Sequence, residues 1–76
     1  MPGGIKIKHA ELKSRLDNLD IDEGIRIENK GKKFFINRRA SGDYVVQDGN
    51  EFHYLDNARQ VIAVIKPPKS SAIWFY

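Results

Sequence analysis

The spacing of apolar residues changes twice along this chain. Leu12, Leu16 and Leu19 fall at i, i+4 and i+7 with charged residues between them, the stripe of an amphipathic helix. From Gly24 the spacing drops to two, with Ile25 and Ile27, then Phe34 and Ile36, then the β-prone runs Tyr44-Val45-Val46-Gln47 and Glu51-Phe52-His53-Tyr54-Leu55. At Ala58, Val61, Ile62 and Ile65 it returns to i, i+3, i+4, i+7. A segment with helical spacing cannot bury its apolar residues as a strand, because strand side chains alternate between faces. The order is therefore helix, antiparallel meander, helix.

The first helix is expected at about His9 to Leu19, with Ile5-Lys6-Ile7-Lys8 either a short strand or the helix lead-in. Asn29-Lys30-Gly31 supplies a turn, since glycine takes positive φ at no steric cost. In the strand Lys32 to Arg39, alternation puts Phe34, Ile36 and Arg38 on the core face and Lys33, Phe35, Asn37 and Arg39 on the other. Ala40-Ser41-Gly42-Asp43 turns the chain again. At Asp48-Gly49-Asn50 a three-residue loop pairs Val46 with Phe52 and Tyr44 with Tyr54, a better match than the Val45 to Phe52 pairing of a two-residue Asp48-Gly49 loop. Asp56 is the expected N-cap of a second helix from about Asn57 to Lys66, ended by Pro67 and Pro68. The expected fold class is α+β in two layers: a three- to four-stranded antiparallel meander flanked in sequence by an N-terminal and a C-terminal helix. All 76 residues form a single domain, with a flexible lead at 1–4 and a polar, proline-bearing spacer at 67–71 before an apolar segment at 72–76.

At this length a fold buries only about 60% of the surface its unfolded chain exposes. Nearly every large apolar residue is needed for the core, and few remain to line a deep pocket. There is no cysteine, so thiolate metal sites, disulfides and thiol nucleophiles are excluded. His9 and His53 have no neighbouring carboxylate or serine at a catalytic spacing, and the serines show no nucleophile context. The acidic run Asp17 to Gly24 imitates a calcium loop, with Asn18, Asp20 and Asp22 at positions 1, 3 and 5, but position 6 is Glu23 in place of glycine and position 12 is Asn29 in place of glutamate. No cofactor, metal or catalytic activity is expected. The longest apolar run, Val61 to Ile65, is far short of the roughly 20 residues of a membrane helix, so a soluble, cytoplasmic protein without a membrane partner is expected.

Charge carries the functional expectation. The net charge of +3 hides a block of five cations and no acid, Lys30, Lys32, Lys33, Arg38 and Arg39, between two acidic flanks. Lys and Arg neutralise phosphates with counterion release, and Phe35 on the same strand offers a ring for a base or ribose. These six residues form the candidate nucleic-acid site. The plain alternative is a solvated strand whose charges resist edge pairing, with Phe35 packed under a helix or the tail. Ile73-Trp74-Phe75-Tyr76 is an aromatic run that water would not tolerate as an open patch. It either folds back as an extra edge strand or lid, or anchors a protein partner or a homodimer.

A double-stranded-RNA-binding layout is excluded by the second helix, which opens Asp56-Asn57-Ala58-Arg59 without the lysines that would grip phosphates. From about Gly24 to Ile65 the layout, with its Phe52 to Ala58 spacing, is similar to the small three-stranded DNA-binding domains in the arm-binding regions of phage integrases. That is an analogy of layout and names no family. The expected function is a small non-catalytic nucleic-acid-binding domain, DNA or RNA, with a protein-interaction module or small regulator of a larger protein as the alternative.

Overall fold

Two tight glycine turns set the registers at the centre of the molecule. The structure, a computed structural model, describes residues 5–76, so the lead expected at residues 1–4 lies outside it. In chain order the strands are β1 (Ile5–Ile7), β2 (Gly24–Asn29), β3 (Lys32–Arg38), β4 (Tyr44–Asp48), β5 (Glu51–Leu55) and β6 (Ala72–Phe75). A single 3-10 turn at His9–Glu11 leads into α1 (Leu12–Asp17), and α2 (Ala58–Ile65) precedes the last strand.

Lys30 and Gly31 both take positive φ, 51° and 82°, the type I′ geometry whose twist matches a hairpin. They join Asn29 to Lys32. In the next hairpin Asp48 pairs with Glu51, Gln47 with Phe52 and Val45 with Tyr54. The loop there is the two residues Gly49-Asn50, with positive φ at Gly49. This corrects the expected Val46 to Phe52 pairing: the Asp-Gly pair drew the turn one position too early, whereas a glycine in the first central position satisfies a Gly-X hairpin loop.

The meander of three or four strands flanked by terminal helices is overturned. The sheet has six antiparallel strands in the order β1-β6-β2-β3-β4-β5, and the two short helices lie inside the chain with strands on either side of them in sequence. The physical reason is the free edge of β2. A meander alone leaves its backbone groups and the adjoining Ile25 and Ile27 uncovered, and the apolar tail supplies both the hydrogen bonds and the side chains. Ile73 pairs with Ile27 on one side and with Ile7 on the other, and Phe75 pairs likewise with Ile25 and Ile5. The tail is thus not an edge strand or a lid. It is interior, and β1 forms the edge.

Both helices cover one face. Leu12 and Leu16 of α1, Leu19 beyond it, and Ala58, Val61 and Ile65 of α2 share a core with Ile7, Ile25, Ile27, Ile36, Tyr44, Val46 and Ile73. Each fully buried aliphatic side chain contributes about 1.5–3 kcal/mol relative to exposure. The first helix is shorter than its leucine spacing predicts, because its exit is clamped by the sheet. The Tyr44 hydroxyl donates to the Leu16 carbonyl at 2.6 Å. Arg38 Nη1 donates to the carbonyls of Asp17 and Leu19 at 3.3 and 3.2 Å, and its Nε to that of Gly42 at 3.0 Å. Carbonyls that a helix end leaves unpaired are thereby satisfied. Burial pushes the Tyr44 hydroxyl above its ordinary pKa, an effect that the Arg38 guanidinium, 4.7 Å from the ring centre, partly opposes.

Asn57, not Asp56, caps α2, its Oδ1 accepting from the Gln60 N–H at 2.9 Å. The helix ends at Lys66, which turns left-handed at φ 49° just before Pro67. The His9 ring then holds the proline turn through Nε2, 2.9 Å from the Pro67 carbonyl oxygen. No helix among the described residues is long and apolar enough to cross a membrane.

Candidate nucleic-acid interface

Because strand side chains alternate, the registers also fix what the other face of the sheet displays. Lys6 pairs with Trp74, Trp74 with Arg26, Arg26 with Phe35, Phe35 with Gln47, and Gln47 with Phe52. One row therefore crosses all six strands, alternating aromatic and polar groups inward from a lysine at the edge. Neighbouring strands lie about 4.8 Å apart, so Trp74, Phe35 and Phe52 follow one another at roughly 10 Å.

A second row runs Gly24, Asn37, Val45, Tyr54. Tyr76 joins it through two backbone hydrogen bonds with Gly24, of 2.6 and 2.8 Å. Its ring lies over the glycine: a Cβ on Gly24 would sit 3.4 Å from Tyr76 Cε2 and 3.0 Å from Asn37 Nδ2. On the flank of the central row, Ala72, Glu28 and Lys33 are aligned. Five of the chain's eight aromatic residues, Phe35, Phe52, Tyr54, Trp74 and Tyr76, thus stand on the face that carries no helix. Phe52 and Tyr54 are 55% and 60% exposed, large values for aromatic side chains on an antiparallel sheet.

Lys6, Arg26, Lys33 and Arg39 accompany the rings, against one strand carboxylate, Glu28. The Arg26 guanidinium stacks 4.6 Å from the Trp74 ring centre, and its Nε lies 2.9 Å from Glu28 Oε2 without an aligned hydrogen bond. Arg39 stacks 4.9 Å from Tyr54, with Nε 3.5 Å from Oδ1 of Asp43 across the following turn. Lys6 and Lys33 make no ion pair among the described residues. The face combines positive charge with open π surfaces, the two ingredients of sequence-tolerant nucleic-acid binding.

The structure divides the basic block. Lys33, Phe35 and Arg39 belong to the open face. Lys30 sits at the hairpin tip, exposed. Lys32 points to the helix side, 3.9 Å from Asp48 Oδ2 and over the Phe34 ring at 5.4 Å. Arg38 is committed to the α1 exit and carries structure. The tail divides as well: Ile73 is fully buried and Phe75 packs on the core beneath Arg15, while Trp74 and Tyr76 reach the open face. Arg26, Gln47, Phe52, Tyr54 and Lys6 are additions that sequence reasoning missed. The alternation of β5 already places Phe52 with Tyr54, but nothing local brings Trp74 beside Arg26.

Elsewhere, one ligand atom from each of Asp48, Glu51 and His53 lies within 4.8 Å of the others at the β4–β5 hairpin end. The Lys32 ammonium already brings positive charge to Asp48 there. A hollow of about 210 Å³ between the proline turn and the β2–β3 hairpin, lined by Ile27, Phe34, Ile65 and Ser71 among others, is below the roughly 300 Å³ of small-molecule sites. No known protein family, curated protein or solved structure matches the chain.

Proposed function

We propose that this domain works by binding nucleic acid across its open sheet face, without catalysis. Lys6, Arg26, Lys33 and Arg39 take phosphates, and the exposed rings take bases or riboses. The observation that carries this reading is the unbroken row from Lys6 through Trp74, Arg26, Phe35 and Gln47 to Phe52 on a face left bare by both helices. Lys30 at the hairpin tip extends the positive surface, while Lys32 and Arg38 hold the hairpin and the α1 exit in place. Such a site is electrostatic in affinity and tolerant in sequence.

The test is fluorescence anisotropy with a labelled oligonucleotide at about 50 and about 200 mM salt, a range over which phosphate contacts weaken steeply. Affinity falls as salt rises, and Lys33→Glu with Arg39→Glu removes it while the circular dichroism spectrum is unchanged. Binding that ignores both salt and charge reversal overturns the proposal.

A second reading is supported by the edge strand β5, where exposed Phe52 and Tyr54 adjoin backbone groups that no strand among the described residues pairs. A copy of the chain or a protein partner fits such an edge. Solution mass separates the readings, since a homodimer built there doubles the mass without any oligonucleotide.

A further inference from the structure

Resting on the nucleic-acid reading above, we infer that the occupant of the open face is a single strand with unpaired bases, lying over the aromatic row. The width of the sheet is the first argument. Six strands at about 4.8 Å spacing span roughly 24 Å, about twice the ~12 Å major groove of duplex DNA. A two-stranded ribbon enters that groove; the four-stranded meander widened by β6 and β1 does not. The chemistry of the face is the second argument. Stacking needs the flat faces of bases, which a duplex hides between its own pairs and a single strand offers. The exposed Phe52, Tyr54 and Tyr76 and the half-buried Phe35 and Trp74 have nothing to stack on in a groove.

The third argument is the placement of charge. The helices, the elements that normally read grooves, lie behind the sheet, where the cations Lys13 and Arg15 of α1 stand beside Asp17 and are followed by Asp20, Asp22 and Glu23 at its exit. In front, Lys6, Arg26, Lys33 and Arg39 face one strand carboxylate, Glu28, so the positive surface least offset by acids is the open face.

The stacking positions are also distinguished. Trp74 and Tyr54 are already covered by the guanidinium groups of Arg26 and Arg39. Phe35 and Phe52 carry no cation over their rings among the described residues. Bases therefore settle on Phe35 and Phe52, and the two arginine-aromatic pairs flank them, with Arg26 between Trp74 and Phe35. Gln47, between the two phenylalanines, holds its amide nitrogen on the Gly49 carbonyl at 3.2 Å.

Trp74 is the chain's one tryptophan and stands at the end of the row, so its emission reports occupancy. The experiment titrates the full chain with single-stranded DNA, single-stranded RNA and the matching DNA duplex, each about ten nucleotides long and within the roughly 4–16 that single-strand folds cover. Single strands are expected to bind at least ten-fold more tightly than duplex. Phe52→Ala, on an exposed edge, is expected to lower single-strand affinity about 5- to 150-fold, the range for losing one stacked base, with the melting curve unmoved. The ratio of the DNA and RNA arms identifies the sugar. If duplex binds as well as single strands and Phe52→Ala and Phe35→Leu are silent, the single-strand inference is overturned while nucleic-acid binding stands. Absence of binding to every probe at about 50 mM salt overturns both. A Phe52→Ala effect confined to solution mass also overturns it, in favour of contact between copies.

Discussion

The two faces of this sheet are made by the same strands and by the same alternation, yet they follow opposite rules. On the helix side Ile7, Ile73, Ile27, Ile25, Ile36 and Val46 lie under α1 and α2, and the polar side chains of Tyr44 and Arg38 are engaged, Tyr44 with Leu16 and Arg38 with three carbonyls. On the open side the large apolar groups are aromatic, with Val45 and Ala72 as the smaller aliphatic ones, and they are interleaved with cations. An aliphatic residue contributes when it is buried against many neighbours, whereas an aromatic ring also contributes through one flat face. The composition of each face thus separates residues that hold the fold from residues available to a ligand.

This contrast is broken most severely by Ile73→Ala. Ile73 is fully buried between Ile7 and Ile27, and its truncation is expected to cost about 2–5 kcal/mol, enough to leave so small a domain largely unfolded in a urea titration. A tail that served only as a partner anchor would show almost no change.

Tyr44→Phe probes the polar part of the same face. It removes the shorter of two hydrogen bonds to the Leu16 carbonyl, which keeps the Leu19 N–H at 3.2 Å, a loss of about 0.5–1.5 kcal/mol read from the denaturation midpoint. It also alters pH dependence. Because folding raises the Tyr44 pKa above its ordinary 10.0, the folded chain holds this proton more tightly than the unfolded one. The resulting stability is complete below pH 10.0 and is lost as pH rises through the raised value. Melting temperatures followed into that range fall for the parent chain, and Tyr44→Phe lacks this component.

Lys30→Asn tests the hairpin tip, which belongs to neither face. Asparagine tolerates the left-handed conformation that Lys30 adopts at φ 51°, so the variant is expected to gain about 0.5–1 kcal/mol. The urea midpoint rises with an unchanged slope. The smallest effect belongs to the open side: Phe52→Ala is expected to change stability by less than about 0.5 kcal/mol in the same titration. A large loss there means that Phe52 serves the core, and the contrast between the faces fails.

Much of the meander is legible in the sequence. The Lys30-Gly31 turn, the inward set Phe34, Ile36 and Arg38, and the stripe of α2 follow from local spacing, and Phe35 with Lys33 and Arg39 follows from the same alternation. The sheet's width is not legible. β1 has three residues and β6 four, too short to carry a pattern, and their partners lie far away in sequence. Without β6 beside β2, Arg26 has no visible relation to Trp74 and the aromatic row has no beginning. Charge counting along the sequence also joins Lys32 and Arg38 to Lys33 and Arg39, although successive strand residues point to opposite sides. The turn at Gly49-Asn50 was obscured by the equally familiar Asp48-Gly49 pair beside it.

The insertion of β6 between β1 and β2 also dictates an order of assembly. Because β6 follows every other strand in the chain, a chain cut short before the proline turn at Pro67-Pro68 can assemble its meander and both helices while β2 still presents an unpaired edge. Until residues 72–75 are in place, β1 has nothing to pair with and the chain carries an adhesive strand edge in what will become the interior of the sheet. Chains stalled or cleaved before Ala72 are then the species prone to self-association, and the rate at which the intact protein escapes that state is set by closure of its longest-range pairing, β1 to β6.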